Sequence, residues 1–174
     1  MVRRIFLLFI IAFGTSSCTM HRMERLLNKS MAVNGTAQMT SPGRMGPIHF
    51  EKTACFGRCT AFQFTWNEDN TTDLKITRPF LDGPLSTLES GKYQGQLSTK
   101  LARKLLQSLD AEATACGYET LANEYDNPRV TDLPSTITEI GGKRVQNRYG
   151  GPNLNKLYSA FQEILDQIEW APID

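Results

Sequence analysis

Cys55-Phe56-Gly57-Arg58-Cys59, followed directly by Thr60-Ala61-Phe62-Gln63-Phe64-Thr65-Trp66, is the stretch on which the fold turns. From Phe62 to Trp66 aromatic and polar side chains alternate, the period of a strand with one buried face. Phe62, Phe64 and Trp66 point inward and Gln63 and Thr65 outward. Buried aromatics cover about 150–250 Å² each, so this strand is expected to anchor the core. Cysteines spaced i, i+4 lie about 13 Å apart in an extended chain, whereas bridged Cα atoms approach to about 4.4–6.8 Å. A Cys55–Cys59 bridge therefore demands a tight turn, and Gly57 tolerates the positive φ such a turn uses. The expectation is a disulfide-closed corner that starts the core strand. Phe56, Arg58 and, further on, Asp132 are the candidate partner-facing residues, with Phe56 expected to turn inward and Arg58 to make the contact.

Working outward, Ile48-His49-Phe50-Glu51 alternates upstream, with Ile48 and Phe50 on one face and His49 and Glu51 on the other. Downstream, Asn67-Glu68-Asp69-Asn70 reads as a turn, and Asp73 to Thr77 returns as a strand with Leu74 and Ile76 on one face. Pro79 and Gly83-Pro84 open a loop. Leu85–Leu88 and Lys92–Leu97 hold a further short strand, weakened by Gly91 and Gly95. Ser98 or Thr99 caps a helix with Leu101, Leu105, Leu106 and Leu109 in one stripe, ending before Gly117. Residues 119–131 read as a loop. Ser135–Ile140 and Lys143–Tyr149 flank Gly141-Gly142, a hairpin signal because both turn positions accept φ > 0. Pro152 leads the clearest helix, whose apolar face is Leu154, Leu157, Tyr158, Phe161, Ile164, Leu165 and Ile168, ending at Ala171-Pro172. The order gives an α+β domain: an antiparallel sheet of about five strands with two helices on one face.

The N-terminus is of a different kind. Arg3 and Arg4 precede an unbroken apolar run from Ile5 to Phe13, too short for a membrane span, which needs about 20 apolar residues. Gly14-Thr15-Ser16-Ser17 and Cys18 follow, and this order resembles the lipobox of bacterial lipoproteins. The resemblance implies a signal peptide over 1–17, lipid attached to Cys18 and a chain held to a membrane by that anchor. Thr15 departs from the aliphatic residue commonest at its position, and ordinary cleavage nearby is the alternative. Thr19, rather than aspartate, implies the outer membrane, facing the periplasm. Residues 18–45 show no period and hold Met20, Met23, Met31, Met39 and Met45 with His21, which reads as a flexible tether rather than a copper site. The folded domain is expected over 46–171.

Of the 174 residues 21% are charged, and the net charge of +1 makes nucleic-acid binding a poor match. The chain has two histidines, His21 and His49, and lacks the nucleophile elbow, zinc-helix, phosphate-loop and dinucleotide motifs. His49 reads as a solvent-facing strand residue. Asp132, before Leu133-Pro134, is expected to accept backbone donors at a corner; Glu139 has no evident catalytic partner. No catalytic residue, metal site or cofactor is expected.

In an oxidising compartment the Cys55/Cys59 pair has three readings: structural disulfide, redox-active dithiol or copper ligand. Redox dithiols are usually spaced Cys-x-x-Cys at a helix start, and here a strand follows, so Arg58 is the only activating cation nearby in sequence. Cys116 is read as an inert buried thiol, with pairing to Cys55 or Cys59 as the alternative.

Cys55-Phe56-Gly57-Arg58-Cys59, then Gly91-x-Tyr93-x-Gly95-x-Leu97, then Thr131-Asp132-Leu133-Pro134 before a hairpin and a Pro-led terminal helix together resemble an uncharacterised bacterial envelope domain. That family is a domain of unknown function marked by a Cys-Phe-Gly-x-Cys-Pro segment; Thr60 stands here where its proline usually does. The resemblance covers 46–170 and implies location and fold but no activity. Together these readings describe an envelope lipoprotein that binds another envelope protein, or one that handles thiols or copper through Cys55 and Cys59.

Overall fold

The computed structural model describes residues 46–173, so the expected signal peptide, Cys18 and the tether lie outside the described residues. Eight strands and two helices follow in the order β1 (Ile48–Lys52), β2 (Ala61–Trp66), β3 (Thr71–Arg78), β4 (Gly91–Gln96), α1 (Thr99–Ala115), β5 (Glu124–Tyr125), β6 (Thr136–Ile140), β7 (Lys143–Asn147), α2 (Asn155–Asp166) and β8 (Ala171–Ile173). One sheet holds all eight, ordered β5-β7-β6-β1-β2-β3-β4-β8.

The α+β class holds, but the sheet is larger than the expected five strands and is mixed, because β5 pairs parallel to β7. Both additions are edge strands too short to show an alternating pattern. Glu124–Tyr125 falls in a polar loop, and β8 contains Pro172, which a sheet accepts at its edge because the missing N–H is not needed there. Pairing of Ala171–Ile173 with Gln94–Lys92 carries the domain past residue 171. The segment around Leu85 is a 3-10 turn (Pro84–Thr87) that buries Leu85, not a strand. The last helix starts at Asn155, where the Asn153 side chain accepts from the Asn155 N–H at 3.0 Å.

Register explains the layers. Phe50 lies opposite Phe64 and Thr138, Phe64 opposite Leu74, and Leu74 opposite Tyr93, so one face collects the apolar side chains. His49, Glu51, Gln63, Asp73, Lys75 and Arg144 occupy the other, which is polar and partly or fully exposed. Ile137 is an exception, placed on the polar face by its register with Glu51 yet buried. Phe50 stacks on Phe161 of α2 at 4.6 Å and meets Phe62 edge-on at 5.4 Å, and Phe62 stacks on Phe80 at 4.9 Å. Leu105 and Leu109 of α1 join the same cluster. Each fully buried side chain of this size contributes about 1.5–3 kcal/mol, so this face is the main source of stability. Ser98 caps α1 by accepting from the Leu101 N–H at 3.3 Å. After α1, Gly117 takes a left-handed conformation (φ 64°) that turns Tyr118 back into the core.

Among the described residues no helix is long and apolar enough to cross a membrane.

Candidate functional site

The chain leaves β1 at Lys52 and enters β2 at Ala61, and the connection is the cysteine corner. Cys55 and Cys59 are joined by a disulfide with their Cα atoms 6.1 Å apart, which only a turned backbone allows. Cys116 is unbridged, half-buried, and donates to the Ala113 carbonyl at 3.3 Å; burial pushes its thiol up, away from the reactive thiolate.

An arginine that sequence spacing does not connect to this corner holds it together. Arg78, the last residue of β3, donates from Nη1 to the Cys55 carbonyl at 2.7 Å and to the Gly57 carbonyl at 2.9 Å. The same nitrogen lies 3.8 Å from Cys59 Sγ, and the Cys55 backbone N–H donates to that sulfur at 2.9 Å. Arg58, the cation nearest in sequence, is exposed. Phe56 is 89% exposed instead of turned inward. With both carbonyls held inward by Arg78, the loop's tip faces outward, and Phe62 and Phe80 already fill the core beneath.

A second arginine organises the neighbouring loop. Arg148 Nη1 forms both of its carboxylate bonds with Asp126 (3.1 and 3.0 Å), while Nη2 and Nε donate to the carbonyls of Val130 and Leu133. Thr53 and Ser135 join the two loops, the Thr53 N–H donating to the Ser135 carbonyl at 3.0 Å and the Ser135 N–H to Thr53 Oγ1 at 2.8 Å. Asp132 lies in this second loop with φ 68°, exposed. Its carboxylate accepts from the Thr131 hydroxyl at 3.1 Å rather than from backbone donors, so its contribution to the corner is a left-handed backbone.

The two loops stand at the same end of the sheet. Lys52 ends opposite Phe62 and Thr136, Thr136 opposite Asn147, Ile76 opposite Gly91, and Lys92 opposite Ile173. The connections at this end are therefore 53–60, 79–90, 126–135 and 148–154, with the β8 terminus beside them. The large exposed apolar side chains of the domain are Phe56, Leu81, Leu133, Tyr149 and Ile173, and every one belongs to this end. Arg58 and Asp132 belong to it too. The opposite end carries the polar turns Asn67–Asn70 and Gly141-Gly142 and the entry of the chain at Gly46.

His49 lies on the polar sheet face with Nδ1 3.3 Å from Thr65 Oγ1 and Nε2 3.3 Å from Glu51 Oε2. Glu139 lies opposite it on β6. The described residues contain no group of three or more His, Cys, Asp or Glu side chains placed to hold a metal ion. Arg78 and Arg148 are the residues that sequence reasoning missed. Each acts from a strand end on a loop distant in the chain, and no local spacing signals that.

The model of the DUF6438 family, a domain of unknown function, matches residues 47–168. No curated protein matches the chain.

Proposed function

The chain belongs to the DUF6438 family, and on that premise we propose that it is a lipid-anchored protein of the bacterial cell envelope that binds another envelope protein through the disulfide end of its sheet. In this reading the Cys-Phe-Gly-Arg-Cys run is the segment that marks the family, Cys18 carries the lipid and the domain works in the periplasm at the outer membrane. The observation that carries the binding role is the collection at one end of Phe56, Leu81, Leu133, Tyr149 and Ile173, the large exposed apolar side chains among the described residues. Exposed apolar side chains that form a contiguous patch mark interaction sites. Two arginine-organised loops present Phe56 and Leu133 on a preformed backbone, which reduces the ordering cost of association.

The basic, apolar and small-residue order before Cys18 supports the anchor. A coil of the length of residues 18–45 spans roughly 30 Å, enough to hold a small domain off a bilayer. The chain enters the domain at the end opposite Phe56, which suits a contact made away from the attachment point.

A second reading, thiol–disulfide exchange at Cys55–Cys59, is favoured by the Arg78 contact with Cys59 Sγ.

Two measurements test the first reading. Cys18→Ala should abolish palmitate labelling and release the protein from the membrane fraction; unchanged retention refutes the anchor. Envelope proteins retained by the full chain should be lost with Phe56→Ser/Leu133→Ser at unchanged thermal stability. Identical retention by both proteins refutes the binding end.

A further inference from the structure

The two sulfurs of the Cys55–Cys59 bridge have unequal surroundings. Cys59 Sγ receives the Cys55 N–H at 2.9 Å and has Arg78 Nη1 at 3.8 Å. No hydrogen-bond donor faces Cys55 Sγ among the described residues. Thiol–disulfide exchange is faster when the departing sulfur's negative charge is stabilised, and a guanidinium with an N–H donor provides that. Arg78 also donates to the Cys55 and Gly57 carbonyls, contacts that involve neither sulfur. The loop's tip is open, with Phe56, Gly57 and Arg58 exposed and both cysteines half-buried.

We propose that the bridge is a directional exchange site: Cys55 Sγ is attacked, Cys59 Sγ leaves, Arg78 positions and stabilises the leaving thiolate, and the substrate is a dithiol of an envelope protein. The proposal rests on the second reading above. A substrate thiolate attacks Cys55 Sγ; a substrate–Cys55 bond forms as the Cys55–Cys59 bond breaks, and the electron pair departs on Cys59 Sγ. The substrate's second thiol loses its proton to water and attacks the substrate sulfur of the mixed disulfide, expelling Cys55 as a thiolate that is reprotonated from water. The substrate dithiol is oxidised to a disulfide, and Cys55–Cys59 is reduced to a Cys55 thiol and a Cys59 thiolate, which Arg78 stabilises until it takes a proton from water. Phe56, exposed between the two cysteines, supplies an apolar contact to the incoming protein.

The test equilibrates the full chain with glutathione redox buffers and counts thiols by maleimide mass tagging. The wild-type bridge should open and close reversibly. Arg78→Gln should shift the equilibrium toward the disulfide by about tenfold, equivalent to about 30 mV, and Arg78→Lys should restore most of the shift. A wild-type bridge that stays closed at every glutathione ratio refutes exchange itself. Reversible exchange with the same equilibrium in wild type and Arg78→Gln refutes the role of Arg78 and leaves exchange standing. Alkylation rates in Cys55→Ser and Cys59→Ser, read for each cysteine by peptide mapping because Cys116 is also unbridged, give an independent check should Arg78→Gln not fold. The Cys59 thiol of Cys55→Ser should reach half-maximal reactivity at lower pH than the Cys55 thiol of Cys59→Ser. The reverse order overturns the assignment of the leaving sulfur.

Discussion

Gly95 lies opposite Thr72 in the β3–β4 ladder and beneath Ile168, so an added Cβ would collide with Ile168 Cγ2 and come within 3.0 Å of Thr72 Oγ1. Gly95→Ala should therefore lower stability by about 1–3 kcal/mol, read as a lower urea midpoint at unchanged slope. From the sequence this glycine merely weakens a strand; the residue that needs its space comes after the last helix, beyond any local pattern. Tyr118 is a second case. Its hydroxyl lies within hydrogen-bond distance of Thr138 Oγ1 (2.9 Å) and of the carbonyls of Thr138 (3.0 Å) and Lys143 (3.1 Å), which share its single proton, and so pins the chain after α1 to the β6–β7 hairpin. Burial, partly offset by the Thr138 hydrogen bond, pushes this phenol from 10.0 up to about 12. The folded state thus favours the neutral phenol. Its contribution is complete below pH 10 and is lost as pH rises through about 12. Tyr118→Phe should cost about 1–2 kcal/mol at neutral pH, and wild type should lose stability between pH 10 and 12 more steeply than the variant. Denaturant titrations at several alkaline pH values measure both.

The elements fall into two groups by how well their residues announce them. β1 to β3, the hairpin β6–β7 and both helices carry period-2 or helical patterns over enough residues to be read directly, and the structure places Phe62, Phe64, Trp66, Leu157 and Phe161 in the core as those patterns require. β5 and β8 are only two and three residues long, and although Tyr125 packs against the core neither strand buries a side chain fully, so no alternating pattern marks them. The cysteine corner is intermediate. Its bridge is legible from the cysteine spacing around Gly57, whereas its stapling by Arg78 and the outward course of Phe56 depend on contacts between distant strands. A loop this short gives the bridge about 2 kcal/mol in the chain-entropy model, and Arg78 holds the same backbone independently. Cys55→Ser/Cys59→Ser should consequently stay folded with a loss of about 2 kcal/mol or less. Amide exchange should rise in residues 53–60 and stay unchanged in β2 and β3; global unfolding of this variant would show the bridge to be a main support of the domain.

Across the described residues, the buried core and the exposed apolar side chains occupy separate regions. The two helices cover one sheet face with a continuous aromatic and aliphatic core, and the other face is solvated by charged and amide side chains. The exposed apolar side chains are confined to the end where Arg78 and Arg148 fix the loops. Sequence patterns reach the class of this architecture but not the convergence of those loops, because strand order and register decide which connections become neighbours. Site-specific photocrosslinking in cells reads out directly whether this end meets an envelope protein, as proposed. A photoreactive residue replacing Phe56 is compared with one replacing Glu68, in the turn at the opposite end, and one replacing Lys75, on the polar face. A discrete crosslinked species is expected at Phe56 and none at Glu68 or Lys75. Crosslinking that is equal at all three positions, or absent at Phe56 and present at Lys75, would contradict it.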